Sequence, residues 1–334
     1  MKRRTGRVVA GLVVGLLALG WVAGAATAAE RAKVKIAMDW IIGGRHAPWF
    51  VAAEKGFYAE EGLDVEVLRG FGNANTVQRV VTGEVQFAYT DFSTSILARA
   101  EGSKVKTIAM ILGRNPQTFF SLKKTGITRP KDLEGRTIVS NAGSASPKLF
   151  PVFAELHGVD AGKVKWVTVE PAAKASMLIS GSADVVEYFL MQRPLLEREA
   201  GKLGGINTMH WADHGFQLYS NGVVVIEDYL GKNGDLVRRF LRASMKGFQR
   251  TFDDPDEAVA ILRKSHPTLD PEVTRVEIDI LKALVLTDDA RTRGIGHMDE
   301  AKVATARDIM AKIYGLKSPV QTGDLYTNEY LPRK

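Results

Sequence analysis

A strand, a glycine loop, a helix and a second strand are compressed into residues 34–68, and this unit restricts the fold of the 334-residue chain more than any other stretch. Val34, Ile36 and Met38 alternate with Lys35 and Ala37, the period of a strand with one buried face. The alternation breaks at Asp39-Trp40, so a polar loop begins at the strand's carboxyl end. Gly43 and Gly44 free the backbone there, and Pro48 suits a first helical turn, where its missing N–H has no intrahelical partner to lose. Trp49, Phe50, Ala53, Phe57 and Tyr58 follow at helical spacing until Gly62, and Leu63, Val65 and Val67 start the next strand. So short a unit makes a parallel crossover, and open α/β sheets bind ligands outside the carboxyl ends of their strands. Asp39, Trp40 and His46 are therefore candidate ligand contacts.

The chain begins with Lys2, Arg3, Arg4 and Arg7, continues as an uncharged apolar run over 8–25 and reaches Ala26-Thr27-Ala28-Ala29. That is the order of a secretory signal cut after Ala28. An uncleaved anchor is the rival reading, since the run approaches the ~20 residues that span a bilayer. Its four glycines and small-residue end favour cleavage. The absence of cysteine removes disulfides, thiolate chemistry and lipidation of a mature N-terminal cysteine, so a freely soluble periplasmic protein is expected. Cleavage leaves 306 residues, enough for two lobes, and lowers the formal charge from +7 to +3. No basic run remains in the body of the chain to bind nucleic acid.

Downstream, Arg69-Gly70-Phe71-Gly72 precedes a helical run over 76–82. Its glycines either admit backbone amides to a ligand beside Phe71 or close a tight loop. A third glycine is missing, so there is no dinucleotide fingerprint. A strand over 85–89 leads to Asp91, Ser93 and Thr94, all natural N-cap types. Capping the helix over 96–100 occupies one and leaves the other hydroxyls to the cleft. Strands follow over 105–112 and 118–122, the latter crossing towards a second lobe whose own first strand covers 136–139. The small-residue loop ending Gly143-Ser144-Ala145-Ser146 runs into a helix over 147–157. Such a helix start offers unpaired N–H groups and a positive dipole end to an anion or polar ring edge; an ordinary cap by Ser146 is the alternative. No G-x-x-x-x-G-K-[ST] run specifies phosphate.

After a strand over 164–169 and a helix over 174–180 comes the strand end Glu187-Tyr188-Phe189. Adjacent aromatics on an extended chain point to opposite faces, so one of Tyr188 and Phe189 reaches the cleft. Tyr219 precedes a strand over 223–226 that returns the chain to the first lobe, and helices over 235–251, 256–264, 271–286 and 299–314 pack around that lobe. The division is 29–122 plus 222–334 for lobe one and 123–221 for lobe two.

Asp39-Trp40, His46, Ala52-Ala53-Glu54-Lys55-Gly56-Phe57-Tyr58 and Glu61-Gly62-Leu63-Asp64-Val65 together resemble the opening of one family, the periplasmic solute-binding proteins of ABC importers. Its members carry thiamine pyrimidine precursors, sulfonates, taurine and nitrate, and the likeness is greatest to the thiamine-pyrimidine-precursor branch. It continues through Gly83-Glu84-Val85-Gln86-Phe87-Ala88, Lys131-Asp132-Leu133-Glu134-Gly135-Arg136-Thr137-Ile138, Gly181-Ser182-Ala183-Asp184 and Tyr326-Thr327-Asn328-Glu329-Tyr330-Leu331, nearly the whole mature chain. The resemblance implies an α/β, two-lobed, type II periplasmic-binding-protein fold, each lobe a mixed sheet flanked by helices with the ligand between them. It also implies a small-molecule cargo and an ABC permease in the inner membrane as partner. A monomer without a cofactor is expected.

Binding proteins and enzymes share folds, so the site has to decide between them. Of six histidines only His210 and His214 are close in sequence. Asp213 and Gly215 oppose a helix there and no third ligand is apparent, so no metal is expected. No H-E-x-x-H or G-x-S-x-G motif occurs. The resembled family has an enzymatic branch, the fungal-type pyrimidine synthases, with a cysteine-rich loop and a histidine on the helix after the third strand. Here that place falls near Thr94 and the cysteines are absent. His46 matches a loop histidine shared with that branch. No catalytic residue is therefore expected.

The expected function is capture of a planar nitrogen heterocycle similar to a thiamine pyrimidine precursor. Trp40 would stack on it, Asp39 and Glu187 would accept from ring amines, and Gly143 to Ser146 would donate; Phe71, Asp91, Ser93, Tyr188 and Tyr219 complete the candidate cleft. A sulfonate, taurine, nitrate or flavin ligand, or a pyrimidine-synthase-like enzyme, is the alternative. The two carboxylates argue against nitrate and simple sulfonates unless cations neutralise them.

Overall fold

The computed structural model describes Met1, residues 30–142 and residues 144–333. The leader and Gly143 lie outside the described residues. From Arg31 onward the chain forms one compact unit. Its strands, numbered in chain order, build two sheets. The first contains β1 (Ala32–Ala37), β2 (Leu63–Leu68), β3 (Phe87–Asp91), β4 (Val105–Met110) and β10 (Asn221–Ile226), in the order β2-β1-β3-β10-β4. The second contains β5 (Gln117–Leu122), β6 (Thr137–Asn141), β7 (Lys165–Val169), β8 (Val185–Phe189) and β9 (Ile206–His210), in the order β7-β6-β8-β5-β9.

The two sheets repeat one plan. β1 runs parallel to β2 and β3, as β6 does to β7 and β8. β10 is antiparallel to β3 and β4, and β5 to β8 and β9. In each sheet the antiparallel strand is the one on which the chain arrives from the other sheet. The registers correspond too: Asn221, the first residue of β10, faces Asp91, and Gln117, the first residue of β5, faces Phe189. β5 is buried at every position, its polar Gln117, Thr118 and Ser121 included.

Several expectations shift. The single helix expected after Pro48 is two, Ala47–Glu54 and Phe57–Glu60, because Gly56 adopts a left-handed conformation (φ 77°) between them. β5 belongs to the second sheet, so a second lobe starting at residue 123 starts one strand too late. β9 was not anticipated: Asn207 and Thr208 together break the alternation between Ile206 and Met209. The helix Glu300–Tyr314 packs on both Phe92–Ala100 and Ser146–Leu156 rather than on the first half alone.

Two aromatic-rich cores fix these positions. Beneath the first sheet, Phe87 stacks on Phe240 at 3.9 Å, and Trp49 meets Tyr89 and Phe248 edge-on or tilted. Beneath the second, Phe119, Phe150, Phe153 and Trp211 interlock. Each such side chain contributes roughly 1.5–3 kcal/mol by leaving water. Met191 of the second half joins the first core, and Phe92 and Ile96 of the first half join the second. No helix of the described residues is long and apolar enough to cross a membrane.

Candidate functional site

Both carboxylates expected to face a ligand are buried and already bonded. Asp39, just past β1, is 3% exposed. One oxygen lies 2.9 Å from Nε2 of His46; the other accepts from Nη1 of Arg45 at 2.8 Å and Nδ2 of Asn221 at 2.9 Å. The Gly43 N–H donates to Nδ1 of His46, so the imidazole proton sits on Nε2 and points at Asp39. Burial and the neighbouring Arg45 lower the His46 pKa to about 4 against the opposing pull of Asp39, and the ring is neutral near pH 7. Burial pushes the Asp39 carboxyl up, but the Arg45 charge and hydrogen bonds from His46 and Asn221 outweigh it and hold it below the usual range.

Glu187 repeats the arrangement from within β8, where it is the middle residue rather than the strand end expected of it. Its Oε1 accepts from Ser140 at 2.9 Å and from Lys174 at 2.8 Å, and its Oε2 accepts from Ser146 at 2.9 Å. Lys174 also donates to Asn141 and lies 4.0 Å over the Tyr188 ring. Burial lowers its pKa, offset in part by Glu187. Thus the expectation that Asp39 and Glu187 accept from a ligand amine is corrected: protein donors occupy both. The cations Arg45 and Lys174 were not anticipated, and they remove the objection the carboxylates raised to an anionic ligand.

The remaining expected contacts divide into internal and exposed. Asp91 caps the helix Phe92–Ala100 through the Ser93 N–H and accepts from Ser220 Oγ; Ser93 is buried behind it. Burial raises the Asp91 pKa against those hydrogen bonds. In the loop before the helix Ser146–Leu156, Ser144 Oγ accepts the Ser146 N–H, Ser144 N–H reaches the Asn141 carbonyl, and the Ala145 carbonyl takes Lys148 and Leu149 N–H. The expected cap by Ser146 is corrected: Ser146 is the first residue of the helix, Ala145 holds the N-cap position without a side-chain bond, and the Ser146 hydroxyl goes to Glu187. Tyr219 is core: it is 3% exposed, packs edge-on against Phe92, and its hydroxyl accepts the Asp299 N–H. Tyr188 packs into the small cluster around Leu178 and Leu196. Phe189 instead packs on the first core, with the Arg45 guanidinium 5.9 Å from its ring centre. Of the adjacent pair, Phe189 is the one that faces the other half.

Trp40 and Phe71 stay exposed, at 39% and 64%, on loops following β1 and β2. The two loops are stitched together: Gly70 N–H donates to the Trp40 carbonyl and Gly72 N–H to that of Asp39. Gly70 is compulsory there, since a Cβ would fall 1.9 Å from the Met38 carbonyl oxygen. Both glycine amides are thereby taken, which favours the tight-loop reading. Arg69 lies 4.4 Å over the Phe71 ring. A concavity of about 300 Å³ beside this patch is lined by Ile41, Leu68, Arg69 and His266. A larger one of about 510 Å³ lies among Asp256, Arg263 and Arg275, away from the strand ends. Among the described residues no cluster of three metal-ligating side chains occurs.

The sequence profile of the NMT1/THI5-like family matches residues 44–258. Among curated proteins the chain is similar to a riboflavin-binding protein of Chloroflexus aurantiacus, 29% identical over 90% of this chain and 86% of the relative. It is also similar to a formylaminopyrimidine-binding protein of Halalkalibacterium halodurans, 27% identical over 75% and 76%. Relatives at 24% identity include a 4-amino-5-hydroxymethyl-2-methylpyrimidine phosphate synthase of Legionella pneumophila, over 72% of this chain and 75% of its own. Among solved structures the periplasmic aliphatic sulphonate binding protein of Escherichia coli superposes with a TM-score of 0.69 at 14% identity, over 90% of this chain and 99% of its own. The two mixed sheets flanked by helices are thus the fold of periplasmic binding proteins.

Proposed function

The chain belongs to the NMT1/THI5-like family, and from that premise we propose that it captures a small planar nitrogen heterocycle between its two halves and delivers it to the permease of an ABC importer. The observation that carries this reading is Trp40. Trp49 and Trp211 are wholly buried, whereas Trp40 stays 39% exposed at the carboxyl end of β1, on a loop braced by the Arg69-Gly72 backbone. A braced, half-exposed indole is a stacking platform, worth about 0.5–1.5 kcal/mol beyond area burial. The riboflavin- and formylaminopyrimidine-binding relatives carry ligands of this shape.

Asp39 and Glu187 act here as internal anchors that set the loops carrying Trp40 and Ser144. A carrier fits better than an enzyme: the chain has no cysteine, and its site histidine, His46, is buried, neutral and bonded on both nitrogens. The leader over residues 1–28 supports export to a periplasm.

A thermal-shift panel on the protein cut after Ala28 tests the reading with aminopyrimidines, riboflavin, taurine, alkylsulfonates and nitrate. Ligand at a hundred times its dissociation constant stabilises the fold by about 2.7 kcal/mol. A shift with either heterocycle class supports the proposal, and which class responds sorts a thiamine-precursor carrier from a flavin carrier. A shift only with sulfonates or nitrate retains the carrier and overturns the heterocycle. Trp40→Ala should weaken heterocycle binding more than tenfold with an unchanged melting temperature; undiminished affinity would assign Trp40 to packing.

A further inference from the structure

We infer that Gln117 determines specificity in this site, its side-chain oxygen accepting an N–H from the rim of the bound heterocycle. The inference rests on the heterocycle reading above. Gln117 is 5% exposed, and its Oε1 is buried with no hydrogen-bond donor among the described residues. Buried acceptors nearly always have a donor, so this oxygen calls for one that is not a group of the chain, from a ligand or from a water.

The position of Gln117 gives that donor a direction. Its cross-strand partner on β8 is Phe189, and side chains directly opposite on an antiparallel pair share a face. Phe189 packs on the core of the first half and lies beneath Arg45 of the loop after β1. Gln117 therefore stands at the end of the second sheet that meets the first. The chain around it is fixed: Asn115 Oδ1 accepts the Gln117 N–H at 2.9 Å, the Asn115 carbonyl lies 2.6 Å from Nε2 of His210, and the Pro116 carbonyl accepts the Leu190 N–H at 2.8 Å.

The first sheet supplies the control. Asn221 occupies the equivalent register position, and its amide is satisfied at both ends, donating to Asp39 at 2.9 Å and accepting from Ser220 at 3.0 Å. The same position in the second sheet has its oxygen open. A lone acceptor suits a ring lactam, imide or amine N–H. Sulfonate and nitrate, which offer oxygen acceptors only, leave this oxygen unpaired.

The test titrates the mature protein and Gln117→Met with riboflavin and 3-methylriboflavin, which differ in one ring N–H, and with 4-aminopyrimidine and 4-dimethylaminopyrimidine. Wild type should prefer the N–H member of the pair it binds by at least tenfold, and Gln117→Met should lose that preference. The ligand-free melting temperature of Gln117→Met should be unchanged or higher, because the variant removes an orphaned acceptor. Equal affinity of wild type and Gln117→Met for the N–H ligand overturns the inference and leaves the heterocycle reading standing. Failure of wild type to bind either N–H ligand overturns both. A lower ligand-free melting temperature without a ligand-dependent difference assigns the oxygen to an internal water and also overturns the inference. If Gln117→Met does not fold, Gln117→Glu, which retains an acceptor, should keep the N–H preference, and its loss counts against the inference.

Discussion

Just past β1 the Asp39 carboxylate meets Arg45, His46 and Asn221; in the middle of β8 the Glu187 carboxylate meets Lys174, Ser140 and Ser146. Each cluster sets one cation and two neutral donors around a buried anion. They differ in where the partners originate. All partners of Glu187 lie between β6 and β8, within the second sheet's own run of chain. Asp39 draws on its own loop and on Asn221, the first residue after the chain returns from the second sheet. One cluster is self-contained and can persist however the halves sit. The other ties the loop bearing Trp40 to the segment that connects them.

The largest expected effect tests the self-contained cluster. Lys174→Met leaves Glu187 buried without its cation and should cost about 3–5 kcal/mol in urea unfolding. Arg45→Met should cost less, since the Arg45 side chain is 12% exposed against 3% for Lys174. Equal losses would mean that the two clusters are energetically alike.

The second effect concerns the histidine of the Asp39 cluster, which the Glu187 cluster lacks. The pKa of His46 falls from 6.5 to about 4 in the folded protein. Between those values the unfolded chain binds a proton that the native one does not, so stability should fall with pH by about 1.4 kcal/mol per unit. Asp39, held below 3.8, adds its own loss as pH drops through its folded value. Urea unfolding at pH 7, 6, 5 and 4 should show a slope steeper by this amount in wild type than in His46→Gln, because burial also lowers His210, His214 and His297, which add the same background to both; parallel slopes would remove His46 from the account.

A smaller effect compares the equivalent amides. Asn221→Ala strips a donor from Asp39 and should cost about 1–3 kcal/mol, whereas Gln117→Met should cost nothing without ligand. Reversal of that order would break the correspondence between the sheets. The smallest concerns the exposed patch: Arg69→Ala removes a cation from the Phe71 face and should change stability by no more than about 0.5–1 kcal/mol.

The sequence made the scaffold legible where pattern is local. The strand at Val34 and Ile36 and the helix over 174–180 reappear, although β1 ends before Met38 and Ala37, on the strand's other face, is buried too. It was less legible at β5, which reads as a strand crossing between the halves but carries no local pattern that assigns it to the second sheet. The site was legible in residue type and opaque in partnership. Asp39 and Glu187 are visible as carboxylates, but Lys174 is 13 residues and Asn221 182 residues from the carboxylates they serve, and only folding brings them there. Arg45 alone offered a signal, being a cation six residues beyond a carboxylate that burial would otherwise penalise. Tyr219 was misread because nearness to a crossing does not say which way a ring turns.

The late arrival of β10 governs the order in which the molecule can assemble. It lies between β3 and β4, so until residue 221 is available the first sheet is split, with an unpaired edge on either side of the gap. Such non-local pairing makes folding slow and leaves the nascent chain open to partners that bind extended, apolar segments. That delay keeps the chain loose until about two thirds of its 334 residues have been made.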